Sequence, residues 1–190
     1  MNEQDEYKML RHEIAENMKS QQQISVTAVS LTVSVLTIVG SFASDNPYLF
    51  LIPLLLLLPS AIKTRDLKDG IMTLSGYLIA RYENSSDIPF WETTLNKYRK
   101  KYAKTRSKAL LALECSEFAI AGLICELLYI SAAFSRIQNM EIIPTAVCII
   151  SALVIIFLFY ITYNYPNMDF YNIEEKEKRW ESILEEHNKQ

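Results

Sequence analysis

The sequence predicts an all-α polytopic membrane protein: four transmembrane helices in two hairpins, with a cytoplasmic helical layer beside them. Three observations predict it. The apolar residues gather in blocks at 24–44, 47–62, 109–135 and 142–163, with the charges between them. The last block, 142–163, has 22 residues and no charge. At ~1.5 Å per residue it is about 33 Å of helix, enough for a hydrocarbon core of about 30 Å. Finally, 18 of the 19 Lys and Arg residues fall on one side if both hairpins cross fully, which by the positive-inside rule is the cytoplasm.

The first 23 residues form the first cytoplasmic element. MNEQDEYKMLRHEIAENMKS is acidic, and Tyr7, Leu10, Ile14 and Met18 share one helical face. No basic region precedes a short apolar core, so the stretch does not read as a signal peptide. The first hairpin is 24–62. Its opening stretch, ISVTAVSLTVSVLTIVGSFAS, is uncharged and carries eight hydroxyls. Its SLTVSV portion alternates like a barrel strand, but a membrane barrel needs at least about eight strands and the other blocks do not alternate. The second span, PYLFLIPLLLLLPSAI, has only 16 residues and contains Pro53 and Pro59. It is expected to be kinked, partly inserted, or extended past Lys63 and Arg65.

Residues 63–108 form a cytoplasmic helical segment with eleven basic and five acidic residues. Its basic end carries Lys97, Arg99, Lys100, Lys101, Lys104, Arg106 and Lys108, interleaved with Trp91, Tyr98 and Tyr102. Next to a span, such a cluster favours anionic lipid headgroups or a partner protein over nucleic acid. The second hairpin is 109–163, with Arg136 the one basic residue of its 136–141 loop. Tyr160, Tyr163 and Tyr165 close the last span at the inner interface. The tail 164–190 reads as an amphipathic helix that starts at Asn172 with Glu175 as a capping-box partner. Ile173, Trp180, Ile183 and Leu184 mark its apolar face. Both termini are then cytoplasmic, and the acidic tails flank a basic centre.

The hydroxyls of the first span are not scattered. Thr27, Ser30, Ser34, Thr37, Ser41 and Ser44 follow a 3-4 repeat and share one helical face, while Ser25 and Thr32 point elsewhere. Such a stripe serves either a close helix–helix seam or the lining of a wet path. In the third span, Glu126 lies deep among apolar residues, on a face otherwise made by Ala112, Cys115, Ala119, Gly122, Tyr129 and Ala133. An ionisable group at that depth costs ~3 kcal/mol or more to insert and is a functional candidate. Spans one and three run in the same direction, so Glu126 is expected near the depth of Ser34 and Thr37. The two faces are expected to meet within one chain or across a homo-oligomer. Glu114 and Glu117 read as ordinary interfacial charges.

Catalytic signatures are absent from the sequence: no HExxH, GxSxG, Walker-type loop or CxxC pair, and four glycines in all. His12 and His187 lie at opposite ends, and the three cysteines sit in or beside apolar blocks without metal-ligand spacing. The expectation is a protein that is not an enzyme and needs neither cofactor nor metal.

The amphipathic YKMLRHEIAENM, the tight turn into NPYLFLIPLLLLLP and the basic helical section after it resemble small membrane proteins of bacterial anti-phage defence operons. These include SLATT-type domains, four-span effectors of cyclic-oligonucleotide systems and the membrane subunit of the Kiwa system. The resemblance implies an oligomer in the inner (plasma) membrane that permeabilises it or senses its perturbation in concert with a cytoplasmic partner. Two functions follow as expectations. One is a channel-like effector whose polar path is the hydroxyl stripe with Glu126. The other is a receptor or scaffold that recruits a cytoplasmic protein and uses the polar faces for assembly alone.

Overall fold

The structure is a computed structural model of the 190-residue chain. It describes residues 3–41, 46–83, 93, 94, 97 and 116–188, apart from the side chains of 3, 83, 162–172, 187 and 188. Among the described residues all regular structure is helical. Helix α1 is Glu3–Gly40. A 3-10 turn, Pro47–Leu51, leads into α2, Leu54–Leu78, which ends in a π-helical turn, Ile79–Glu83. Helix α3 is Glu117–Gln138 and α4 is Ile142–Asn188. Among the described residues four stretches are long and apolar enough to cross a membrane: Gln4–Gly40, Pro47–Tyr82, Glu117–Gln138 and Ile142–Ile161.

Three helices are longer than their apolar blocks. Helix α1 joins the acidic N-terminal stretch to the hydroxyl-rich block without interruption. Helix α2 continues past Lys63 and Arg65, which accounts for the shortness of its apolar part, and contains Pro59 within it. Pro53 precedes α2, where its missing N–H costs nothing, and its carbonyl accepts the amide of Leu57 at 2.9 Å. Helix α4 runs through Pro166 and past Asn172. The expected new start at Asn172 is therefore corrected: 172 lies inside a helix. Propensity is a weak prior, and here apolar anchors on both sides, Ile161 and Ile173, are each buried.

Contacts divide the chain into two compact units: 22–64 with 112–163, and 1–21 with 65–111 and 164–190. In the first unit, Ala28 of α1 packs with Leu54, Leu57 and Ala61 of α2, Phe118, Ala119 and Ala121 of α3, and Ile155 and Leu158 of α4. Small residues on α1 and α3 let the helices approach while the branched side chains fill the space between them. A second cluster joins Val39, Phe50, Tyr129 and Ala133.

The turn from α3 to α4 has a defined cap. The amide of Glu141 bonds the Arg136 carbonyl at 3.1 Å, and that of Met140 bonds the Ile137 carbonyl at 2.9 Å. This is the Schellman pairing, which places its C′ residue in the left-handed region. That residue is Met140, at φ 53°. The chain reverses here, so that Gly122 meets Ile155 and Leu158 while Tyr129 meets Pro144.

The other unit is built from the start of α1, the later part of α2 and the later part of α4. Met72, Ile79 and Ile173 form its buried core, and Ile14 of α1 is buried as well. Met18 and Ile183 of the expected apolar faces remain about half exposed, at 50% and 51%. Helices α2 and α4 cross closely at Gly76, where an added Cβ would lie 3.0 Å from the Lys176 Cβ and 3.1 Å from the Glu177 amide nitrogen. The crossing is flanked by an ion pair, Lys176 Nζ to Asp69 Oδ1 at 3.0 Å. Here a lysine of the acidic tail meets an aspartate of the basic segment, the reverse of the bulk charge pattern.

Candidate functional site

Helix α3 carries the most demanding group in its unit. Its buried face comprises Phe118, Ala119, Ala121, Gly122, Cys125, Glu126, Tyr129 and Ala133. Glu126 keeps only 5% of its surface exposed. Its Oε1 accepts a hydrogen bond from the Cys148 thiol of α4 at 3.3 Å. Its Oε2 is buried with no hydrogen-bond partner among the described residues. One turn away, the Tyr129 hydroxyl donates to the Pro144 carbonyl at 3.0 Å, and its ring lies 5.8 Å from that of Tyr48. The hydroxyl of Thr145, next in sequence to Pro144, is also buried and unpartnered.

Glu126, Tyr129, Thr145 and Cys148 are thus four polar residues on two facing helices. Three and four residues apart along a helix are neighbouring positions. A buried polar atom without a partner costs about 1–3 kcal/mol, and a carboxylate more. An arrangement of this kind is retained when hydration, proton binding or a ligand compensates for it.

The hydroxyl stripe lies elsewhere. Thr27, Ser30, Ser34 and Thr37 are all exposed on α1, as is Ser41 just past its end, while Ser44 lies outside the described residues. The Ser34 hydroxyl donates to the Ser30 carbonyl at 2.9 Å, and the Thr37 hydroxyl to the Val33 carbonyl at 2.8 Å. Buried instead are Ser25 and Thr32, the two set apart from the stripe, at 8% and 2% exposure. A meeting of the stripe with Glu126 inside one chain is therefore not what the structure shows. The bonded neighbour of Glu126 is Cys148, and the stripe faces outward.

Gly122 likewise serves the interior of the chain. A Cβ there would lie 3.3 Å from methyl groups of both Leu158 and Leu54. The seam it forms joins α2, α3 and α4 of a single chain, so Gly122 is not an exposed surface for a second copy.

Two partners had no prominent signal in the sequence. The Ser25 hydroxyl donates to Glu117 Oε1, linking α1 to the first turn of α3. Ser25 was legible only as a hydroxyl off the stripe, and Glu117 only as an interfacial charge. Beside them, Ser25, Val29, Val33 and Leu36 of α1 and Glu117, Ile120 and Ile124 of α3 line a groove of about 510 Å³.

The second unit holds an aromatic cluster. Tyr77 packs edge-on against Trp180 at 4.9 Å and against Tyr82 at 6.3 Å, and Tyr82 packs edge-on against Tyr7 at 5.8 Å. The Trp180 indole donates to the Thr73 carbonyl at 3.2 Å, and the Tyr77 hydroxyl to Glu6 Oε1 at 3.3 Å. The cluster ties three helices together, with the polar tips of Tyr77 and Trp180 hydrogen-bonded, the usual way to bury such side chains.

Of the basic residues expected to meet headgroups or a partner, Lys97 is exposed. Arg99, Lys100, Lys101, Lys104, Arg106 and Lys108 lie outside the described residues, as do Ala112 and Cys115 of the small face. Among the described residues no group of three or more His, Cys, Asp or Glu side chains is placed to hold a metal. Comparison with protein-family models, characterised proteins and solved structures found no match to this chain.

Proposed function

We propose that this protein is a four-span integral membrane protein of the bacterial inner membrane, with both termini cytoplasmic, that assembles into a channel-like, membrane-permeabilising homo-oligomer. Its place in anti-phage defence rests on the architectural resemblance alone. One observation carries the permeation reading: Glu126, a carboxyl buried deep within the apolar helices, retains an unpartnered oxygen. In a membrane such a group is expensive, and groups of this kind face the protein interior or a water-filled cavity and mark ion pathways. The outward hydroxyl stripe provides a surface on which copies can approach closely, since small hydroxyl side chains permit near contact between helices. No cofactor is invoked.

A receptor or scaffold that recruits a cytoplasmic partner is the second reading, and a specific observation favours it. The hydroxyls of Ser34 and Thr37 already bond their own backbone, so the stripe has no need of water. Glu126→Gln separates the two readings because it keeps size and hydrogen bonding but removes ionisation. Under permeation the variant assembles normally and loses cation preference, or the dye influx and depolarisation that the parent produces on expression. A normal oligomer with unchanged permeability would end the conducting role of this residue.

A further inference from the structure

The groove between α1 and α3 has the dimensions and polarity of a site for a single amphiphile. It runs from Ser25 and Glu117 at one end to Leu36 and Ile124 at the other. Ser25 and Leu36 are eleven residue steps apart on α1, a length of ~16 Å at about 1.5 Å per residue, which is half of a ~30 Å hydrocarbon core. The groove therefore has the depth of one leaflet. Over that length the groove offers about 510 Å³, less than half of what a whole helix of the same length, about 10–12 Å across with its side chains, would fill. An acyl chain fits.

The walls are mainly apolar, Val29, Val33 and Leu36 with Ile120 and Ile124, and also carry the hydroxyls of Ser30 and Thr32. The charged group of the lining is Glu117, an exposed carboxylate at one end, held in place by the Ser25 hydroxyl. A carboxylate at the mouth attracts an ammonium and repels an anionic headgroup. This gives the occupant a polarity as well as a size.

We propose that the α1–α3 groove binds one acyl chain of a cytoplasmic-leaflet phospholipid whose headgroup carries a primary ammonium, with Glu117 receiving that ammonium. The inference rests on the membrane reading above and adds to it a lipid site distinct from the basic segment, which favours anionic headgroups. Of the groups invoked for permeation it shares Ser30 of the stripe and does not involve Glu126.

The experiment uses the full-length chain in nanodiscs of phosphatidylethanolamine and phosphatidylglycerol in equal amounts, with retained lipid counted by native mass spectrometry. One screened charge contact corresponds to a preference of about fivefold for the ethanolamine lipid. Glu117→Gln keeps the bond from Ser25 and is expected to abolish the preference while leaving the number of retained lipids unchanged. Val29→Trp is expected to fill the groove and remove one retained lipid of either kind, with helical content by circular dichroism as in the parent.

An equal affinity for both lipids overturns the proposal, as does a preference that survives Glu117→Gln. Efficient disulfide-linked dimers from Ile124→Cys, in a background lacking the native cysteines, would also overturn it by seating a second copy on the groove. A chain released from membranes by carbonate washing removes the membrane reading and this proposal together. A chain that stays inserted without lipid preference removes the proposal alone.

Discussion

The same substitution at two glycines of one helix should change stability in opposite directions. Both Gly70 and Gly76 lie inside α2, where replacement by Ala gains about 1 kcal/mol from helix propensity alone. At Gly70 an added Cβ meets nothing within 4 Å, so the full gain is expected. At Gly76 it would stand 3.0 Å from the Lys176 Cβ, 3.1 Å from the Glu177 nitrogen and 3.2 Å from the Lys176 carbonyl carbon. These contacts are well inside the ~3.5–4.0 Å optimum for nonbonded heavy atoms. Two of the three atoms belong to the α4 backbone, which cannot swing aside as a side-chain tip can.

Overpacking of this kind costs about 1–3 kcal/mol, and a clash with backbone belongs at the upper end. After the propensity gain, Gly76→Ala is expected to destabilise by about 1–2 kcal/mol, a fall in Tm of about 2–8 °C for a chain of this size. Trp180 reports on the crossing directly, because its indole bonds the Thr73 carbonyl. Thermal melts followed by its fluorescence, in a Trp91→Phe background, measure the effect. A Gly76→Ala variant that melts at or above the parent, alongside a Gly70→Ala variant that does the same, would refute the close crossing of α2 and α4.

Met140→Gly should stabilise the α3–α4 turn by about 1 kcal/mol, since an L-residue in the left-handed region costs about 1–2 kcal/mol and the Met140 side chain, 83% exposed, gives up little packing. Thermal melts or resistance to a protease cutting at residues 139–141 will show it. Ser34→Leu should weaken assembly in cross-linking experiments if copies meet at the exposed stripe. Gly122→Leu should lower the melting temperature of the single chain instead, since it faces Leu54, Ile155 and Leu158. Cysteines placed at Asn46 and Gln138, in a variant without native cysteines, should label from the periplasmic side. One placed at Lys100 should not, and the converse pattern would reverse the proposed threading.

The buried face of α3 was legible in the sequence because each of its members carries a cost. Small residues at 3-4 spacing around one carboxyl leave few orientations in which Glu126 escapes lipid, and Ala119, Gly122, Glu126, Tyr129 and Ala133 do lie inside. The orientation of α1 was not legible in this way. A hydroxyl that bonds its own i−4 carbonyl carries little penalty facing outward, so the regular stripe placed no demand on burial. The decision fell to the opposite side, where Ala28 and Val39 pack beside Ser25 and Thr32. The continuity of α4 was also hidden. Its 164–169 stretch, NYPNMD, contains residues that commonly stop helices, while the apolar anchors that carry the helix through are fixed by residues far away in sequence. Cys148 as the neighbour of Glu126 depends on the register of α3 against α4, which the turn at Met140 sets.

The back-bonded hydroxyls also bear on the elasticity of α1. The carbonyls of Ala28, Ser30 and Val33 each receive a hydroxyl, from Thr32, Ser34 and Thr37 at 2.9, 2.9 and 2.8 Å. Each of these acceptors is then shared between a side chain and the backbone amide four residues on, which weakens the helical bond and favours bending. Three shared acceptors fall within six consecutive residues, 28–33, and their donors emerge on different sides of the helix. A rod softened on several sides bends in more than one direction. On the proposed membrane reading, such a segment can follow changes in bilayer thickness at a modest energetic cost, and the middle of α1 is the place where this chain would flex.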